Sequence, residues 1–321
     1  TKRRLALALL TLATMVSQVT EAGESYPDKP MKFIVPFPAG SGTDQTARLI
    51  GNALTAKTGR PVIVENKPGA SGVIGAQAAA GAKPDGYTVL ITTNTTHAAN
   101  PAMFKKLSYD PVRDFEPVSL IGTSALVLLV APNSPYKKVH DFLADLRTGR
   151  KALTFGAGSS STHIAAELLK LATKGQAMAV PYKGTPPALT DLMGGQLDFM
   201  FVDLGPAMPL IQSGKLRPLA TTGDAREPLL RDIPTLAEAG IKDYQMMAWV
   251  AIFVPARTPK PIVAKLNELI RAAVADPSLL QQMSRNGSRS RGSTPDELRE
   301  FMKAEIEKWA TTVKAAGIEP E

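Results

Sequence analysis

Short runs of β-branched and aliphatic residues recur along this chain and alternate with segments whose apolar residues return every three or four positions. The runs are KFIVPF, PVIVEN, TVLITT, LVLLVAP, ALTFGA, AMAVPY, DFMFVD and LRPLATT, all between Lys32 and Thr222. Between them lie TARLIGNALTAKTG and THIAAELLKLAT, the second with Ile164, Leu168 and Leu171 on one helical face. Strand followed by helix in this rhythm predicts an α/β fold with parallel sheets and crossover helices. The last third turns helical: Ile262, Val263, Leu266, Ile270 and Val274 mark one helix, and Met302, Ile306, Trp309 and Val313 another.

Two stretches break the rhythm. SLIGTSALVLLVAP (119–132) and YQMMAWVAIFVPA (244–256) are long, extended and apolar, and each separates one αβ block from the next. A chain that crosses twice builds one domain from both ends and one from its middle. The expected division is 27–124 with 251–321 as the first domain and 125–250 as the second, crossover segments included. The βα loops of both domains would then face a ligand cleft between them.

Composition adds an address. TKRR followed by LALALLTLATMV, with small residues at Thr20 and Ala22, has the form of a secretory signal peptide over residues 1–22. Its apolar run is too short to span a membrane comfortably. Without that segment 34 basic and 28 acidic residues remain, a net charge of +6. The basic residues are scattered and form no basic–aromatic stripe, which argues against nucleic acid as a partner. The absence of cysteine excludes thiol catalysis and Cys-ligated metal. His97, His140 and His163 show no metal-ligand spacing, so neither metal nor cofactor is expected.

The chemistry concentrates in five loops. FPAGSGTD, from Phe37 to Asp44, follows a strand and opens a helix, the arrangement in which free backbone N–H groups and the helix dipole favour an anion. FGAGSSSTH, ending at His163, repeats the design with Gly158, Ser159, Ser160 and Thr162. TTNTTH contributes Thr93 and Asn94, PYKGTPPAL contributes Tyr182 and Gly184, and VDLGPAMPL contributes Asp203. Ser, Thr and Asp are equally ordinary helix caps at such positions. Asp44 reads as a cap or water holder, His163 as a first-turn structural residue and Lys183 as solvated. Phosphate-loop and dinucleotide glycine spacings are absent, as is G-x-S-x-G, which leaves a Ser/His hydrolase as a distant alternative. None of the five loops contains arginine, so an anion would be held by N–H groups, hydroxyls and water. Only Trp249 and Trp309 are available for stacking on a sugar.

The segments YPDKPMKFIVPFPAGSGTDQTAR, VENKPGASGVIGA, PDGYTVL, YDPVRDFEPV, VPYKGTPPALTDLMGGQLDFMF, SGKLRPLAT and IPTLAEAG closely resemble, in that order, the extracytoplasmic receptors of tripartite tricarboxylate transporters, the Bug family. The likeness runs from Tyr26 to near the C-terminus. It implies a monomeric periplasmic receptor of the two-domain, type II solute-binding fold. Such a receptor closes on a di- or tricarboxylate or an aromatic acid and delivers it to a membrane permease. It also implies that the loops Phe37–Asp44 and Gly156–His163 hold the carboxylate, with Ala39, Gly40, Ser41 and Gly42 in the first. Ser41 departs from the family's usual second glycine. A sensory receptor that presents the same ligand to a signalling partner is the alternative reading.

Overall fold

β1 (Met31–Val35) buries every residue except Lys32, as a strand covered on both faces must, and it lies between two parallel neighbours, β2 (Val62–Asn66) and β3 (Thr88–Thr93). In this computed structural model the described residues are 26–242, 244 and 246–320, so the expected signal peptide lies outside them. The helix α1 (Gly42–Thr58) connects β1 to β2 and turns Ala47, Ile50, Gly51 and Leu54 inward on one stripe. It stops at Gly59, whose φ of 68° is the left-handed cap conformation that glycine adopts without a steric penalty. Next come α2 (Val73–Ala80) and the short α3 (Asn100–Met103). The TTNTTH segment, read above as a loop, leads into a wide helical turn over Thr95–Ala99.

β4 (Phe115–Val130) is 16 residues long and serves two sheets. From Phe115 to Ala125 it runs antiparallel to β9 (Met247–Pro255), in a sheet ordered β10-β4-β9-β3-β1-β2, where β10 is Arg289–Ser290. From Leu126 onward it pairs instead with β7 (Met200–Asp203) and β8 (Arg217–Thr221). Here β5 (Leu153–Ala157) and β6 (Ala177–Pro181) form a parallel pair that joins through a bridge from Phe155 to Phe199. The sheets are therefore mixed rather than parallel throughout. β9 comes back along β4 in the opposite sense, so the two crossover strands form a ladder with each other, and β9 pairs on its other side with β3.

Around the second sheet stand α4 (Val139–Thr148), α5 (Ser160–Thr173), α6 (Thr185–Met193) and α7 (Leu204–Gln212). The C-terminal helices α8 (Lys260–Val274), α9 (Pro277–Arg285) and α10 (Pro295–Ala315) return to the first. One apolar core continues through both sheets, from Leu90 and Phe253 to Leu128, Phe155 and Phe199. Trp249 and Trp309 are both buried, and their indole N–H groups donate to the same Glu305 Oε2 at 2.9 and 3.0 Å. These rings are part of the packing of α10 on the crossover strands and present no open face to a sugar.

Candidate functional site

The loop after β1 is held from within. Gly40 turns the chain at φ 83°, and its N–H donates to Asp44 Oδ2 at 2.9 Å. Asn66 Nδ2 donates both to the Phe37 carbonyl and to Asp44 Oδ1, at 3.0 and 2.9 Å. Arg48, one turn further along α1, closes on both Asp44 oxygens. Burial pushes the Asp44 carboxyl up, but the bonds from Arg48, Gly40 and Asn66 outweigh it and hold the group below the usual carboxylate range. Asp44 is thus the clasp of the loop. Ser41 caps the helix, its Oγ accepting from the Asp44 N–H at 3.3 Å. The Ser41 N–H is spent on the Pro38 carbonyl. The first two N–H groups of α1, on Gly42 and Thr43, have no protein partner among the described residues, as the geometry of a helix start dictates. Phe37 is buried beneath this turn, and Ala39 lies on its exposed outer side.

The loop after β5 has the same plan. Ser159 and Thr162 form a reciprocal capping box: Ser159 Oγ accepts from the Thr162 N–H, and Thr162 Oγ1 from the Ser159 N–H. For Ser41, Ser159 and Thr162 the structure therefore shows the capping role, and the N–H groups of Ser160 and Ser161 have no partner among the described residues. Ser160 Oγ reaches across to Asn100 Oδ1 at 2.7 Å, and Ser161 Oγ to Thr95 Oγ1 at 3.1 Å, so this helix start is tied to the segment after β3. Asn66, Asn100, Thr95 and Ser161 were not singled out in the sequence. Their signal is slight: a polar residue at a strand end or a helix start.

The remaining residues set the walls. Gly158 packs so closely on the next loop that a Cβ there would stand 2.8 Å from the Thr185 nitrogen. The Tyr182 N–H donates to the Ala157 carbonyl. Its hydroxyl turns to Asp191 at 2.6 Å, and that bond pushes the phenol up to about 12. His163 Nε2 lies 3.6 Å from Glu167, which also pairs with Lys170, and Lys183 is exposed. These side chains line a mouth of about 580 Å³, formed by Ser71, Met103 and Phe104 on one side and Ser159, Ser160, His163, Tyr182 and Lys183 on the other.

Across the cleft the loops touch. A Cβ on Gly184 would stand 2.5 Å from Pro38 Cδ, and one on Gly42 would stand 3.1 Å from Asp203 Cβ. Behind them is a cavity of about 40 Å³ where α1, the end of β3, both crossover strands and the start of α7 meet, with Thr93 and Asp203 in its wall. Asn94 is fully buried, and its amide oxygen and nitrogen both lack a partner among the described residues. Asp203 caps α7 by position but makes no side-chain capping bond. Burial pushes its carboxyl up to about 6, opposed only by its own backbone N–H.

That raised carboxyl gives a pH-dependent expectation. The folded value of about 6 exceeds an unfolded value near 3.9, so the folded state pays for ionising Asp203 as pH rises from about 4 to about 6 and carries the full penalty above that. Asp203→Asn should therefore melt higher than the parent near pH 8, and the difference should close by about pH 4. Melting curves across this range test it; a difference that is constant with pH would remove the titration from the account.

A family model described as "Tripartite tricarboxylate transporter family receptor" matches residues 46–318. BugT of Bordetella pertussis is 32% identical over 318 residues, covering 98% of each chain. Among solved structures, Rpa4515 of R. palustris with adipate superposes with a TM-score of 0.90 at 34% identity, over 92% of this chain and 100% of that one. MatC (Rpa3494) of Rhodopseudomonas palustris with bound malate does so at 0.85 and 32%, over 90% and 100%. The family and its solved structures are solute-binding receptors, not enzymes, and this chain has the two-domain, type II periplasmic binding fold with two crossover strands. By sequence along nearly its whole length and by superposition of both domains, this chain belongs to the receptor family of the tripartite tricarboxylate transporters.

Proposed function

We propose that the protein is a monomeric periplasmic receptor that captures a small organic carboxylate between its domains, 27–124 with 251–321 and 125–250, and delivers it to the permease of a tripartite tricarboxylate transporter. The observation that supports this reading is the pair of helix starts, α1 in the wall of the small cavity and α5 in the wall of the mouth, whose N–H groups on Gly42, Thr43, Ser160 and Ser161 have no partner among the described residues. Unpaired N–H groups at a helix start favour a carboxylate without any arginine. The buried Asn94 amide adds a donor and an acceptor. Relatives solved with adipate and malate support the ligand class.

The test is calorimetry with adipate and malate beside their neutral diamides. An acid held by helix starts should bind at least about tenfold more tightly than its diamide, the worth of one charge-assisted hydrogen bond at about 1.5–3 kcal/mol. A diamide that binds as tightly as its acid would sink the anion site.

A further inference from the structure

Two carboxylates stand beside the α1 helix start, and they are treated differently. Asp44 is answered by Arg48, Asn66 and the Gly40 N–H. Asp203 receives no side-chain hydrogen bond and no ion pair among the described residues, and no lysine, arginine or histidine lines the cavity it faces. Its Oδ2 would lie 3.2 Å from a Cβ on Gly42, so it flanks the free N–H groups on which the carboxylate reading depends. A plain dianion in this cleft meets a partly buried like charge that has no counter-ion among the described residues.

The cavity itself narrows the choice of substituent. At about 40 Å³ it exceeds the roughly 10–15 Å³ that one water needs, and so it has room for a small polar group such as an ammonium. Besides Asp203 its wall offers the hydroxyls of Thr43, Thr46, Ser124 and Ser288, oxygens that can accept from N–H. A ligand with its carboxylate on the Gly42 and Thr43 N–H groups and a protonated nitrogen beside that carboxylate would satisfy both sets of groups. Burial already holds the Asp203 carboxyl up at about 6, so near neutral pH a cationic partner relieves an unpaired charge.

We infer that Asp203 determines specificity and that the cleft selects carboxylates bearing a protonated nitrogen over plain acids of the same skeleton. This rests on the carboxylate reading above. The experiment is calorimetry near neutral pH with two matched pairs, aspartate against succinate and 2-aminoadipate against adipate, on the parent protein and on Asp203→Asn. In the parent, the nitrogen-bearing member of at least one pair should bind about tenfold or more tightly, and Asp203→Asn should bring that pair within about threefold. Because the parent comparison needs no variant, a variant that folds poorly does not blunt the test. Plain acids that bind as tightly as their partners in both pairs overturn the role of Asp203 and leave the carboxylate reading standing. If no member of either pair binds, both fall together.

Discussion

Gly184→Val should leave the protein folded and weaken ligand binding by about a hundredfold or more, a loss of about 2.7 kcal/mol. Gly184 has φ 166°, extended backbone that valine adopts readily, and its place before α6 makes the local cost about 1 kcal/mol at most. What valine cannot do is share space with Pro38, whose Cγ and Cδ would both lie 2.5 Å from its Cβ. Pro38 is a rigid ring on the opposite side of the cleft, so the contact is relieved by parting the two sides and not by a rotamer change. The variant should stay open. Small-angle scattering should show the parent contracting with ligand while the variant keeps its larger radius, and calorimetry should give the loss in affinity. Gly184→Ala should fall between the two. Parental affinity in Gly184→Val would mean that the cleft binds without closing.

Asn94→Ala should act in opposite directions on stability and binding. A fully buried amide with neither atom bonded costs about 1–3 kcal/mol per unsatisfied group, and alanine removes both groups. Some of that gain is lost to the small void left behind. The free protein should still melt about 3 °C or more higher. On the proposal that both amide atoms turn to the charged ligand, binding should weaken by about a hundredfold. A variant that melts lower and binds as before would make Asn94 a packing residue.

Much of the fold was legible because each strand is an apolar run with turn residues on both sides. The eight runs correspond to strands or parts of strands, and the two long apolar stretches contain most of β4 and the whole of β9. The direction of β9 was not legible, because an apolar run reads the same whether its neighbours are parallel or antiparallel. The helical turn at Thr95–Ala99 was hidden by threonines, which suit loops and strands better than helices. In the site, the loops could be located but their donors could not be assigned. Whether Ser159 caps or binds depends on where Thr162 Oγ1 points, and whether Asp44 is free depends on Asn66, 22 residues away. The Asn66 partner comes together with Asp44 only through the tertiary structure, as does the lack of a counter-ion for Asp203 among the described residues.

One strand shared by two sheets also constrains the order of assembly. β4 is flanked by β7 and β8 in the second sheet, and all three have been made by Thr221. The first sheet still lacks β9, which joins β3 to β4, until Met247–Pro255 arrives, and it lacks β10 until Ser290. A chain that emerges N-terminus first can therefore complete the pairing of β4 with β7 and β8 once Thr221 is out, but it must hold β1, β2 and β3 unfinished meanwhile. Those three strands are the exposed, association-prone stage of the molecule's life, and β9 is the piece that ends it.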